Sequence, residues 1–406
     1  MNSTSHVFDV IIIGAGPAGL FTAANLKSSQ SVLILDRNPS AGRKLLIAGT
    51  GQCNITHSGS IEDFFDHYGQ HGRFLRTALR AFSNQDVIAF FYTRGLHTIT
   101  DKNGKVFPRT RKSKDVLDIL IDQCIKNKIV FGYNQHVLEV GKVSELFCVR
   151  TNRDEFRCKK LVIATGGKSY PQLGSTGDGY AFARSLGHTV VVPGPALTPV
   201  IVKDFPFTEL TGVSLTDRSI YLYRNNKKIH QHCGDIGFTP RGVSGPGILD
   251  FSRYIEPGDI LKIDFVNREP EIFLQQFQEE AVSHGNSTIK KFLKSYEIPE
   301  RLIMIILTRL GLEGSEKLGN ISKKVRSSLI ESFCQYPLQV KSLAGFELAM
   351  VTRGGVSLEE VSSKTMESKL VPRLFFAGEV LDIDGDTGGY NIQAAFSTGF
   401  LVAASL

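Results

Sequence analysis

FDVIIIGAGPAGLFTAANL, residues 8 to 26, is the stretch on which the fold turns. Val10–Ile13 run without polar alternation, the pattern of a strand buried on both faces. Gly14, Gly16 and Gly19 follow, and a helical pattern opens around Pro17. A GxGxxG spacing says little by itself, but between a strand and a helix it has the context it needs. Gly14 permits a tight turn, Gly16 lets backbone approach a pyrophosphate, and Gly19 lets the helix pack close to the strand. The helix start, with Ala15 and Ala18 around it, turns free N–H groups and a positive dipole end toward phosphate. The same residues are apolar enough to resemble a leader or membrane segment. Asp9 precedes them and three glycines and a proline interrupt them, so they read as strand and helix.

Working outward, SVLILDRN (31–38) is a second strand that ends in Asp36, 22 residues beyond Gly14. An acid there suits a hydrogen bond to an adenosine ribose, with Arg37 beside it. AGRKLLIAGTGQCNIT (41–56) then combines three glycines, Arg43, Lys44 and Cys53. Arg43 and Lys44 can neutralise phosphate. Residues 45–56 read as an extended rail carrying Gly51, Cys53 and Asn54 toward the reactive end of a long cofactor. KKLVIATGG (159–167) is a further strand whose end, Ala164, Thr165 and Gly166, falls where open α/β sheets bind ligands.

The other end of the chain supplies LFFAGEVLDIDGDTGGYNIQAAF (374–396). A strand at 374–377 runs into Gly378–Glu379, an acidic loop, and a helix from about Tyr390. Asp386 suits a ribitol hydroxyl. Gly388, Gly389 and Asn391 place helix amides toward the pyrimidine edge of a flavin, where they would stabilise negative charge. A nicotinamide cofactor needs no such element, which favours FAD. Asp382, Asp384 and Asp386 do not form a calcium loop, because no glutamate closes a twelve-residue pattern. No metal site is expected.

The chain has 406 residues, 42% hydrophobic and 21% charged, with a net charge of +7 and six scattered cysteines. That length predicts two or three domains. The cysteines lack zinc spacing and suit a reducing, cytoplasmic setting. The positive charge suits an acidic partner such as RNA or phosphate-bearing ligands. FPRTRKSKDVLDIL (107–120) gathers Arg109, Arg111, Lys112 and Lys114 before a helix, a candidate RNA contact that reads equally as a solvated helix start. Nothing points to DNA or a membrane, and the sequence leaves the oligomeric state open.

GRKLLIAGTGQCNIT, IATGGKSYPQLGSTGDGY, FTPRGVSGPGIL and the block from Val351 to Gly399 resemble the BaiN/RdsA-like family of NAD(P)/FAD-dependent oxidoreductases, YhiN-like flavoproteins with a glutathione-reductase-like FAD domain. The resemblance runs nearly end to end. It implies an α/β, Rossmann-like FAD domain over 1–190 and 355–406. It also implies a β-barrel-like domain over 191–265 and 341–354, and a helical insertion over 266–340. Val137 joins the cofactor set. Thr50, Gln52 and Pro240 depart from the family pattern, so no role for a histidine at 240 carries over.

The activity so implied is FAD-dependent reduction of a C=C bond, fed by NADH or NADPH, with uracil in ribosomal RNA (dihydrouridine formation) as one acceptor. A small-molecule oxidase or reductase acting on an amine or enone is an alternative, and a non-catalytic redox sensor a second. Cys53, Tyr170 and Tyr390 are candidate proton donors. Cys53 reads first as a small residue packed against the ring, since most buried thiols are inert. No second GxGxxG is present, so a separate nicotinamide domain is not expected.

Overall fold

The computed structural model describes residues 7–406. The chain divides into two compact units, one formed by residues up to 196 together with 346–406, the other by 197–345.

In the first unit, β1 (Val7–Ile13) leads through the glycine turn into α1 (Pro17–Ala24), and β2 (Val32–Leu35) follows. β1 pairs in parallel with β2 on one side and with Glu155–Ile163 on the other. β2 pairs with Val130–Gly132, and Leu374–Phe376 adds to the far side of Glu155–Ile163. β1 is thus interior to the sheet, and Val10, Ile11 and Ile12 have no exposed surface. That explains their unbroken apolar run. The strand 155–163 is shared: its first half pairs antiparallel with Leu146–Thr151 and its last three residues with the C-terminal strand.

The closing helix, Tyr390–Ser405, packs on α1. Phe396 lies 4.7 Å from Phe21, ring centre to ring centre. A Cβ on Gly399 would stand 2.7 Å from the Ala18 carbonyl, so only glycine allows the two helices this close.

The second unit holds a closed antiparallel barrel: Val200–Val202, Gly242–Ser244, Lys227–Thr239, Ser214–Arg224, Ile260–Ile263 and Tyr336–Leu343, the last returning to the first. Four helices between Ile263 and Tyr336 share one apolar core with it.

Two expectations need correction. The returning barrel strand is Tyr336–Leu343, not 341–354. Its alternation puts Leu338 and Val340 inside the barrel. Val351–Val356 instead pairs with Val190–Ala196 in the first unit, because Gly354 and Gly355 let it run against the backbone of Val192 and Leu381. Residues 45–56 are not extended either. α2 (Arg43–Ile47) and a 3₁₀ turn at Ala48–Gly51 coil the chain. Gly49, Gly51 and Cys53 take positive φ, and the Cys53 amide donates to Ala48 O at 2.9 Å.

Candidate functional site

The site forms where the N-termini of α1 and of the closing helix share one side of the parallel sheet. A Cβ on Gly14 (φ +109°) would lie 2.4 Å from Ala164 O, and one on Gly19 would lie 2.0 Å from Gly14 O. These two glycines are therefore required by the fold. Gly16 is different: a Cβ there would meet nothing within 4 Å. Space in front of Gly16, with no side-chain cap and no acid in the first turn of α1, is what an approaching anion needs.

Asp36 ends β2, and its Oδ2 accepts from the Ala15 amide at 2.8 Å while Oδ1 accepts from Asn38 N. It holds the glycine turn while leaving lone pairs for a hydroxyl. Arg37 reaches Asp178 (3.3 Å) and the ring of His136, the residue before Val137, so these stand at the same end. Arg43 donates to Asn38 Oδ1, and Lys44 pairs with Glu379 Oε2 at 2.8 Å. Glu379 Oε1 accepts from Thr352 N, so this acid ties α2 to two C-terminal segments. Both cations have polar partners already, Arg43 at Asn38 and Lys44 at Glu379, next to Gly378.

At the other end, Gly389 (φ +99°) opens the closing helix, again without a side-chain cap. A Cβ there would strike the Thr56 carbonyl at 2.6 Å and Asn54 Oδ1 at 2.8 Å. Asn54 Oδ1 is buried and accepts no hydrogen bond from any described residue. Such an orphan acceptor is costly unless something donates to it. Asn391 clamps the preceding loop, accepting from Gly385 N and donating to Gly385 O, both at 2.8 Å. Below it, a buried network fixes the register. Thr56 Oγ1 donates to Gln393 Oε1 at 2.6 Å, and Gln393 Nε2 donates to Phe82 O and Ser397 Oγ. A recess beside these residues is lined by Tyr68, Gly378, Glu379, Gly385, Asn391 and Ala395. Open backbone at Gly16, two uncapped helix starts and the orphan Asn54 acceptor together fit an extended dinucleotide.

The sequence-predicted proton donors fare unevenly. Cys53 has no exposed surface, and burial pushes its thiol up to about 12. It packs and cannot reach a substrate. Tyr390 is 4% exposed. Tyr170 sits in a left-handed turn whose amide donates to Phe346 O, and no contact brings it to Cys53 or Tyr390. Asp386, expected to face ribitol, accepts through Oδ2 from His67 Nδ1 at 2.9 Å.

The segment 57–71 was not marked by the sequence, yet it closes over this end. His67 stacks on Tyr390 with ring centres 4.0 Å apart, His57 stacks at 5.2 Å, and Tyr68 OH donates to Tyr390 O. His71 Nε2 lies 3.8 Å from Asp382, whose carboxyl is raised by burial. None of these histidines stands in a motif that the sequence marks.

The basic cluster approaches the same region. Arg111 covers the Phe107 ring at 4.3 Å and donates to Gln52 Oε1 at 2.9 Å, linking residues 107–114 to the turn that holds Cys53. Lys114 pairs with Asp118. Among the described residues no group of three His, Cys, Asp or Glu side chains is arranged to hold a metal, and no helix is long and apolar enough to cross a membrane.

The HI0933-like protein Rossmann domain matches residues 8–405. The chain belongs to the HI0933-like Rossmann family. Members of this family are FAD-dependent oxidoreductases, and the chain is one of that class. The HI0933-like chain is 33% identical over 405 residues to the ribosomal RNA dihydrouridine synthase of Escherichia coli, covering 98% of each. It is also 33% identical to the Haemophilus influenzae protein of that name, covering 99% of each. It is 30% identical to the 3-dehydro-bile acid delta(4,6)-reductase of Clostridium scindens, over 96% of this chain and 97% of that one. In fold, it is similar to a 3-ketosteroid-delta4-(5alpha)-dehydrogenase from Rhodococcus jostii RHA1 (TM-score 0.51, 14% identity, covering 99% and 98%). It is likewise similar to a flavocytochrome c3 fumarate reductase (TM-score 0.52, 18% identity, covering 99% and 78%).

Proposed function

We propose that the chain is an NAD(P)H-fed, FAD-dependent reductase of a C=C bond conjugated to a carbonyl, and that its acceptor is uracil in ribosomal RNA. The observation that carries this reading is the 33% identity, end to end, to two ribosomal RNA dihydrouridine synthases. Dihydrouridine is uridine with hydrogen added across C5=C6. The name of the bile acid relative also describes hydrogen added across a conjugated C=C.

The turn Gly14–Gly19 with the α1 amides would hold the pyrophosphate, and Asp36 with Arg37 and Val137 the adenosine end. Gly51, Asn54, Ala164–Gly166, Gly378–Glu379 and Gly388–Asn391 would hold the remainder. Bound there, FAD supplies the two electrons that reach the acceptor as hydride. The protein's own part is to orient and to shield. The amides of the closing helix favour negative charge in front of them. Asn391 and the Thr56–Gln393–Ser397 network keep that helix start and residues 54–57 in register. Arg109, Arg111, Lys112 and Lys114 would hold RNA phosphates near the turn at Gln52. With no second GxGxxG, NADH or NADPH would visit and leave. A ribosomal RNA substrate puts the work in the cytoplasm.

A second reading, a small-molecule enone reductase, is favoured by the bile acid relative alone. To test both, the holoprotein is reduced with NADPH or NADH under nitrogen and mixed with uridine-bearing ribosomal RNA fragments. Flavin reoxidation and dihydrouridine mass are followed at several salt concentrations. The RNA reading expects reoxidation that weakens steeply with salt. Reoxidation by a simple enone but not by RNA selects the second reading. Reoxidation by oxygen only refutes both.

A further inference from the structure

We propose that His67, oriented by Asp386, is the catalytic residue that delivers the proton in this reduction. The inference rests on the C=C reading above. Saturating a double bond takes one hydride and one proton, so the site needs an acid within reach of the acceptor. Cys53 is sealed and Tyr390 nearly so.

His67 has what they lack. Its side chain is 38% exposed. Its Nδ1 lies 2.9 Å from Asp386 Oδ2, and the Asp386 amide donates back to His67 O at 2.9 Å, a two-point fixation. Its ring lies flat on Tyr390, with planes 17° apart. Nε2 meets no hydrogen-bond partner among the described residues. A carboxylate at Nδ1 selects the Nδ1–H tautomer and leaves Nε2 as the nitrogen that takes up and gives a proton. Tyr390 is the first residue of the closing helix, so this nitrogen stands at the proposed ring end. The surrounding titratable groups are Asp386 itself, Tyr390, Tyr68, Asp66 next in sequence, His57 on the same tyrosine, and the His71–Asp382 pair. Asp386 is the carboxylate at hydrogen-bond distance.

In the step, one alkene carbon gains hydride from the reduced cofactor, which ends oxidised by two electrons. The other carbon gains the proton of imidazolium Nε2. A C–H bond forms, the N–H bond breaks, and neutral imidazole recovers its proton from water.

The test uses holoprotein as wild type, His67→Gln, His67→Gly and Asp386→Asn, each checked for FAD content. Reduced enzyme is mixed under nitrogen with a uridine-bearing RNA fragment and with cyclohex-2-enone. Expected is a roughly 100-fold slower acceptor step in His67→Gln, with reduction by dithionite unchanged and rate restored to His67→Gly by added imidazole. Independently of turnover, 15N NMR of labelled histidines should show His67 as the Nδ1–H tautomer in wild type and not in Asp386→Asn. A His67→Gln enzyme that matches wild type, or an Nε2–H tautomer in wild type, overturns the proposal. Wild-type enzyme that passes electrons to neither acceptor overturns the C=C reading first, and with it the destination of the proton.

Discussion

Three glycines of one motif should respond to the same substitution in opposite ways. Gly16→Ala adds a methyl where nothing stands within 4 Å, at φ −83° and ψ −177°, a backbone any residue adopts. The FAD-free protein should therefore keep its stability within about 0.5 kcal/mol. The methyl would fill the approach to the α1 amides. Losing one charge-assisted N–H contact to pyrophosphate costs about 1.5–3 kcal/mol, which is roughly 10- to 150-fold in FAD affinity. Gly19→Ala places its Cβ 2.0 Å from Gly14 O, and Gly14→Ala combines a 2.4 Å clash with φ +109°. Each should cost the folded state more than about 4 kcal/mol. The chain has no tryptophan, so melting is followed by circular dichroism and FAD titration by flavin fluorescence. Gly16→Ala protein that binds FAD like wild type, or that is destabilised as much as Gly19→Ala, refutes this division of labour.

The Thr56–Gln393 bond has no exposed atoms on either side. Thr56→Val and Gln393→Leu should each lose about 1–3 kcal/mol in urea unfolding, and the double variant less than their sum by about 1 kcal/mol; strict additivity would contradict the network. In the second unit, burial raises the Asp264 carboxyl to about 6 even though Val266 N and Asn267 N donate to it. Its folded value stands above the unfolded one, so stability should fall as pH rises from about 4 to 6 and then level off; Asp264→Asn should flatten that slope in melting curves. For RNA, Arg109→Ala and Lys112→Ala should each lower the slope of log affinity against log salt by about 0.7–0.9, read by anisotropy, without changing FAD content. Equal slopes would remove the cluster from the RNA path. Lys114→Ala should change less, because Asp118 already pairs with it.

Much of the nucleotide-binding architecture is legible because local and tertiary demands coincide there. Val10–Ile13 are apolar throughout because both faces of their sheet are covered. Gly19 is fixed by the carbonyl of Gly14 in its own turn, and Gly14 by the Ala164 carbonyl at the end of the neighbouring strand. The closing strand and helix announce themselves the same way. Residues 45–56 mislead, since an apolar run rich in glycine looks like a rail until positive φ at Gly49, Thr50, Gly51 and Cys53 coils it. The pair 336–343 and 351–356 misleads because both are short strands, and only the partner chosen in three dimensions tells barrel from sheet. The segment 57–71 is silent for a deeper reason. It is polar, built of 3₁₀ turns, and its histidines acquire meaning only against Asp382, Asp386 and Tyr390, more than 300 residues downstream.

The sheet's order also carries a schedule. A ribosome completes β1, α1 and the strand 155–163 early, but the strand and helix that finish this unit emerge only after the intervening unit of about 150 residues. At about 5–20 residues per second that interval lasts roughly 7–30 s. Throughout it, the apolar flank of α1 around Phe21 has Phe82 and Phe90 to pack on but not yet Phe396. Because the closing helix supplies one of the two uncapped helix starts, the dinucleotide cradle is complete only once that helix has been made.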